Sequence, residues 1–301
     1  MNFNNIIHDI AKTDPEVYER LSDRRQALKS FGKKVAVAAL PLAVASMFRK
    51  AYGRTTDNVL TSLNFALELE YFEYNFFHTA NNVTGLGLIP AADLPGFQAI
   101  EAQEKEHINF LITTIKALGG TPFTPNHYSD VNSTPPYIPN AYDFTASANT
   151  TGYAPVFANV FIDYPTFLIA AQTFEDLVVR AYAGAIQNVI NNNVFAQLQQ
   201  ISATEGRHAA YIRLIRRNSG AVEVPAPWIN NNIPPYSAVS GSNLVLQPFY
   251  NGEDNTQQLN VNIASLADGT GTVPQLSATA AFDEPLSQAA VTGLIAPFIL
   301  V

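Results

Sequence analysis

Two short segments, Glu104-Lys-Glu-His107 and Glu205-Gly-Arg-His208, constrain this chain more than anything else in it. Phe97, Ile100, Glu104, His107, Leu111 and Thr114 follow one another at steps of 3, 4, 3, 4 and 3. That spacing is the inward seam of a helix packed on other helices. Leu198, Ile201, Glu205, His208, Ile212 and Ile215 repeat it. In both, a carboxylate and an imidazole stand where leucines are expected. Burying an unpaired carboxylate costs several kcal/mol, so something must compensate it. Three residues apart on a helix, Glu and His leave the same face and can converge on one metal ion.

Two further seams carry a single carboxylate each. Leu60, Leu63, Leu67, Glu70, Tyr74 and Phe77 form one, and Leu168, Ala171, Glu175, Val178, Tyr182, Ala185 and Val189 the other. The predicted helices run over about 56–79, 96–118, 165–190 and 194–217. Gly119-Gly120 ends the second and Asn191-Asn-Asn193 the third. Residues 121–155 are rich in Pro, Asn, Ser, Thr and Tyr and show no helical period. A connection of that length suits the crossover that lets helices two and three of a bundle run parallel. The fold class expected is therefore all-α: a four-helix bundle over residues 55–217 with a long crossover between helices two and three. A loop- and strand-rich extension, 218–301, is expected to pack on it. Asn243–Tyr250 and Gln258–Leu266 alternate as short strands would, Gln288 to about Ala296 reads as a helix, and the apolar end Pro297–Val301 is expected to tuck against the bundle.

Together the seams supply Glu70, Glu104, His107, Glu175, Glu205 and His208. One Glu from each of two helices plus Glu-x-x-His from each of the other two is the ligand set of dinuclear carboxylate bundles. Four carboxylates offset the charge of two divalent ions, and one neutral imidazole per ion leaves positions open for oxygen, peroxide or water. Each residue alone has a plainer reading, as the edge of a helix stripe; the joint appearance in four apolar seams is what carries the site. The remaining charges near the pairs, Glu68, Glu73, Glu101, Lys105, Glu106 and Arg207, read as surface. His8, His78 and His127 read as surface or loop. Tyr74 and Tyr182 fall in the ligand seams, as core residues or as the two candidates for a catalytic role. Gly206, inside helix four, either allows close packing or clears space beside the metals.

Composition narrows the chemistry. The 301 residues include no cysteine, so thiolate metal sites and cysteine nucleophiles are excluded, and carboxylate and imidazole ligands favour iron first and manganese second. A formal charge of −8 disfavours nucleic acid as a partner, and no apolar run reaches the length of a stable transmembrane span. Ten of the 17 Lys and Arg lie within residues 1–54. There, Arg24-Arg25 precede the apolar run Val35–Phe48 and the small residues Ala43-Val44-Ala45. This reads as a twin-arginine export signal, used by proteins that fold before crossing a membrane to the periplasm or cell surface; a helical arm on a cytoplasmic protein is the alternative.

Leu63-Asn-Phe-Ala-Leu-Glu-Leu-Glu-Tyr-Phe-Glu73, Glu104-Lys-Glu-His107, Phe174-Glu175 and Glu205-Gly-Arg-His208 resemble the ferritin-like superfamily, and within it the proteins related to plant desiccation-related proteins. Phe282-Asp-Glu-Pro-Leu286 resembles the tail of that group. The resemblance covers about residues 55–217 and implies all six residues as metal ligands. The chain departs from many bacterioferritin relatives in having Phe77 where they have Tyr, and its crossover and tail depart from the cage-forming ferritins. Three functions are compatible: a di-iron oxidoreductase reducing O2 or peroxide while oxidising ferrous iron or another donor, a manganese catalase-like enzyme, or a surface or assembly protein using the bundle as scaffold. The first is the expectation carried forward, and association of identical copies is compatible with it.

Overall fold

The computed structural model of the chain describes residues 56–130, 132–146, 156–189, 193–220, 226–235, 242–267 and 271–301. The expected export signal, residues 1–54, lies outside them. Four long helices dominate: α1, Thr56–Asn82; α2, Leu94–Ala117; α3, Tyr164–Gln187; and α4, Phe195–Asn218. Their starts and stops follow local chemistry. Pro95 and Pro165 occupy the first turns of α2 and α3, and the Asp163 carboxylate accepts from the Thr166 amide at 2.9 Å to cap α3. Beyond the end of α2, Gly119 adopts φ +82°, and Gly120 N donates to Ile115 O at 2.9 Å. Only glycine takes that left-handed turn without strain. A Cβ on Gly120 would also lie 2.6 Å from the Leu60 side chain, so the second glycine lets the start of α1 lie against the end of α2.

The side-chain pairings fix the helix directions. Asp176 of α3 meets Arg213 of α4, and Gln172 meets Arg216, so α3 and α4 are antiparallel. Asn81, late in α1, donates to Phe97 O, early in α2, and those two are antiparallel as well. Phe97 and Phe167, both near the starts of α2 and α3, have ring centroids 5.1 Å apart. Helices two and three are therefore parallel. The expected all-α bundle with a long crossover, residues 118–163, is what the structure contains.

The crossover and the chain end wrap the outer side of α1. Asn75 Oδ1 accepts from Ile138 N at 2.6 Å, and Leu300 N donates to Ala141 O at 2.9 Å. Phe72, Phe144, Phe174 and Phe298 pack there with centroid separations from 4.8 to 6.3 Å. As a result every residue of α1 from 69 to 77 is buried. The apolar end tucks in as expected, through Phe298.

The extension departs from expectation in two places. Asn243–Tyr250, expected as a strand, lies in helix α5, Ser242–Tyr250. Leu246, Phe249 and Tyr250 turn inward at steps of 3 and 1, which a helix allows and an alternating strand does not. The expected strand over 258–266 is shorter than its pattern. Gln257–Gln258 (β1) pairs antiparallel with Val261–Asn262 (β2), and a 3-10 turn follows. Gln275–Thr279 (α6) and Gln288–Ile295 (α7) complete the chain, the latter as expected. The extension is pinned to α3 by Arg180, which is 1% exposed. Its guanidinium donates to the carbonyls of Phe249, Asn251 and Glu284 and pairs with Glu253 at 2.5 Å. Leu286 O approaches so closely that a Cβ on Gly184 would lie 1.9 Å from it. None of the described helices is long and apolar enough to cross a membrane.

Candidate metal centre

The six seam residues meet in one layer of the bundle. Glu70, Glu104, Glu175 and Glu205 are fully buried, His208 is 4% exposed, and the His107 side chain is 14% exposed. Each helix supplies its share because each polar residue keeps the phase of the apolar residues around it. Leu67, Leu111 and Ile201 close one side of the layer and Phe77, Phe97 and Ile212 the other, all buried.

The contacts fall into two overlapping groups. One ligand atom from each of Glu70, Glu104, His107 and Glu205 lies within 4.8 Å of the others, and the same holds for Glu104, Glu175, Glu205 and His208. Nδ1 of His107 is 3.0 Å from Glu70 Oε2, 3.2 Å from Glu104 Oε2 and 3.1 Å from Glu205 Oε1. Nδ1 of His208 is 2.9 Å from Glu104 Oε1, 3.0 Å from Glu205 Oε2 and 3.6 Å from Glu175 Oε2. Glu104 and Glu205 thus each present one oxygen to each imidazole, while Glu70 and Glu175 each serve one side.

This arrangement fits a pair of divalent ions. A single N–H can donate well to one acceptor, yet three carboxylate oxygens crowd each ring nitrogen. Glu104 Oε1, Glu205 Oε1 and both oxygens of Glu175 have no hydrogen bond of acceptable geometry, although a histidine nitrogen stands nearby for three of the four. Of the six short separations only three, His107 to Glu70 Oε2 and Glu104 Oε2 and His208 to Glu205 Oε2, have hydrogen-bond geometry; the other three are crowded contacts. Neighbouring ligands of an octahedral ion with bonds of about 2.1 Å lie about 3.0 Å apart, as these atoms do.

Without metal, protons do part of that work. Burial raises the Glu70 carboxyl well above its ordinary value, and repulsion from Glu205 adds to it. Burial pushes Glu175 up to about 8, partly offset by His208. At Glu104 burial acts the same way but loses to the two nearby imidazoles of His107 and His208, which bring it down to about 2. Burial disfavours the charged form of His107, yet the Glu70 carboxylate first, and the Glu104 and Glu205 carboxylates beside the ring, push it up to about 12. His208 is raised for the same reasons, with Glu175 as the leading charge.

Three residues were not legible as site residues or only weakly so. Glu73, expected at the surface, is fully buried beside the cluster, because α1 is covered on every side over residues 69–77. Its three-residue step from Glu70, the step of the Glu-x-x-His pairs, was the available signal. Gln103 Oε1 lies 2.9 Å from Nε2 of His208, and no seam position marks it. Tyr182, one of the two tyrosine candidates, donates a very short hydrogen bond to Glu70 Oε1. The other, Tyr74, turns its hydroxyl to His78 Nδ1 at 3.3 Å instead. Glu101 and His78, also expected at the surface, are half-buried and bonded to each other at 2.7 Å. Glu68 is half-buried too, whereas Lys105, Glu106 and Arg207 are exposed as expected. His127 pairs with Asp130 in the crossover, and His8 lies outside the described residues. Gly206 is exposed and a Cβ there would touch nothing, so neither close packing nor space beside the metals explains it.

A family model described as a ferritin-like domain matches residues 58–218, from the first turn of α1 to the end of α4, and includes every residue of the cluster. No curated protein matches the chain.

Proposed function

The chain belongs to the ferritin-like domain family, and from that we propose that it is a di-iron oxidoreductase that reduces O2 or peroxide while oxidising ferrous iron or another donor. One observation carries the reading: Glu104 and Glu205 each offer one oxygen to either imidazole, so each would serve both ions of a pair. Glu70 with His107 would complete one ion's ligands, and Glu175 with His208 the other's. When bound, a pair of ferrous ions supplies the electrons that take O2 to peroxide or peroxide to water.

The protein's own part is to hold, orient and shield. Tyr182 fixes one oxygen of Glu70 and leaves the other facing His107. Gln103 occupies Nε2 of His208 and leaves Nδ1 for the cluster. The apolar layers on either side exclude bulk water, which keeps the electrostatic field of the carboxylates strong. The His107 side chain, 14% exposed, is the most exposed of the six, and a small oxidant would reach the layer past it.

Kinship with desiccation-related proteins and export through Arg24-Arg25 belong to the same proposal; the residue patterns support them. The test of function is anaerobic loading of the metal-free chain with Fe(II), counting of metal, then exposure to O2 or H2O2. Two ions per chain and consumption of oxidant with loss of Fe(II) are expected. O2 release from peroxide by the Mn(II)-loaded chain alone would move the reading to catalase chemistry. A chain that binds neither ion and folds normally would make the bundle a scaffold.

A further inference from the structure

The two halves of the cluster are unequal. On the His107 side, Glu70 is tied by Tyr182 and lies 3.0 Å from the ring nitrogen. On the His208 side, Glu175 Oε1 has no partner and Oε2 stands 3.6 Å from the ring. Beside it Glu73 is 0% exposed, and neither of its oxygens has a hydrogen-bond partner. Among the described residues no Lys, Arg or His forms an ion pair with it. Protonation does not repair this, because a neutral carboxyl group still has an O–H to donate and an oxygen to accept with. Burial raises its carboxyl well above the ordinary range, and the charges that add to this are Glu175 first, then Glu205, Glu104 and Glu70. Around α1 Glu73 stands between Glu70, in the cluster, and Phe76, whose ring packs on Phe174, the residue before Glu175, with centroids 5.1 Å apart.

We propose that Glu73 is a seventh ligand of the dinuclear site, binding the ion held by Glu175 and His208. The proposal rests on the dinuclear reading above. A cation bound among these carboxylates would satisfy both oxygens of Glu73 and offset the crowded negative charge. Five carboxylates against two divalent ions leave one negative charge over, and oxidation of one ion to the trivalent state cancels it. Glu73 therefore biases the ion on the His208 side toward the trivalent state and toward oxygen-preferring iron or manganese.

The test is a titration of the metal-free full chain with Mn(II), followed by electron paramagnetic resonance and elemental analysis. Wild type is compared with Glu73→Gln, which keeps the volume and removes the charge. Wild type should bind two ions. In the Gln variant one should bind as before and the other at least about tenfold more weakly, a loss of about 1.4 kcal/mol, with loss of the spin-coupled pair signal at low Mn(II). Glu73→Asp withdraws the carboxylate by one methylene; should the Gln variant fail to fold, the same selective loss is expected there. Two ions at unchanged affinity in the folded variant, or equal weakening of both, overturns the seventh ligand and leaves the dinuclear site standing. A wild-type chain that binds no Mn(II) and no Fe(II) overturns the dinuclear reading and Glu73 with it.

Discussion

Gln103 and His208 meet across the α2–α4 interface, with the amide oxygen 2.9 Å from Nε2 of the ring. The amide accepts the Nε2 proton when Nδ1 presents its lone pair to the cluster. Partners of this kind set a ligand's tautomer and ring angle, and their removal costs about 10–100-fold in metal affinity. His107 has no comparable partner on its other nitrogen among the described residues. Gln103→Ala should weaken one of two Mn(II) ions by about tenfold or more, while Gln103→Glu, which keeps the acceptor, should bind nearly as wild type does. Equal affinities in all three proteins would show that the amide plays no positioning role.

The metal-free chain should lose stability as pH rises through the neutral range. His107 is raised from an ordinary 6.5 to about 12, so its contribution is complete below 6.5 and fades as pH climbs toward 12. Glu175, raised from 4.5 to about 8, acts in the same direction between those values. Glu104, lowered from 4.5 to about 2, acts oppositely: its contribution is present above 4.5 and lost as pH falls toward 2. The melting temperature in chelator should therefore peak at mildly acidic pH and fall between pH 5 and pH 8. Metal binding displaces these protons, so Mn(II) affinity should rise over the same span, roughly tenfold per pH unit for each proton released. A metal-free melting temperature that climbs from pH 5 to pH 8 would contradict this account of the cluster.

Two helical glycines should respond oppositely to the same change. At Gly206 an added Cβ meets nothing within 4 Å, and alanine is the better helix former. Gly206→Ala should stabilise the chain by about 0.5–1 kcal/mol. At Gly184 the added Cβ would stand 1.9 Å from Leu286 O, a backbone atom that cannot swing aside. Gly184→Ala should cost about 1–3 kcal/mol through displaced packing of the extension on α3. Thermal melts of both variants decide the point; destabilisation by Gly206→Ala would mean that its exposed position serves a contact outside the chain.

Replacing Arg24 and Arg25 together by lysine should retain the full-length protein in the cytoplasm, since twin-arginine export depends on the pair itself rather than on its charge. Fractionation of cells producing each form measures this. An unchanged distribution would return residues 23–48 to the helical-arm reading.

The sequence by itself determined the six cluster residues and the bundle that holds them. The phase of a side chain on a helix is a local property, set by 3.6 residues per turn, and Glu70, Glu104, His107, Glu175, Glu205 and His208 each kept the phase of an apolar seam. The long Pro- and Asn-rich connection likewise announced parallel α2 and α3. What covers the other faces of those helices is not local. Phe144 of the crossover and Phe298, from the far end of the chain, close over the middle of α1 and bury every residue from 69 to 77. Periodicity assigns one inward face to a helix and so leaves Glu73 outside, although it is as buried as Glu70. The same holds for Arg180, whose charge is buried only because Glu253 and three carbonyls of the extension arrive to meet it. Asn243–Tyr250 alternates as a strand would, and its helix depends on where Leu246, Phe249 and Tyr250 find a surface to bury. Burial by distant segments decided these cases, because free energy of burial depends on what finally covers a residue, not on its neighbours in sequence.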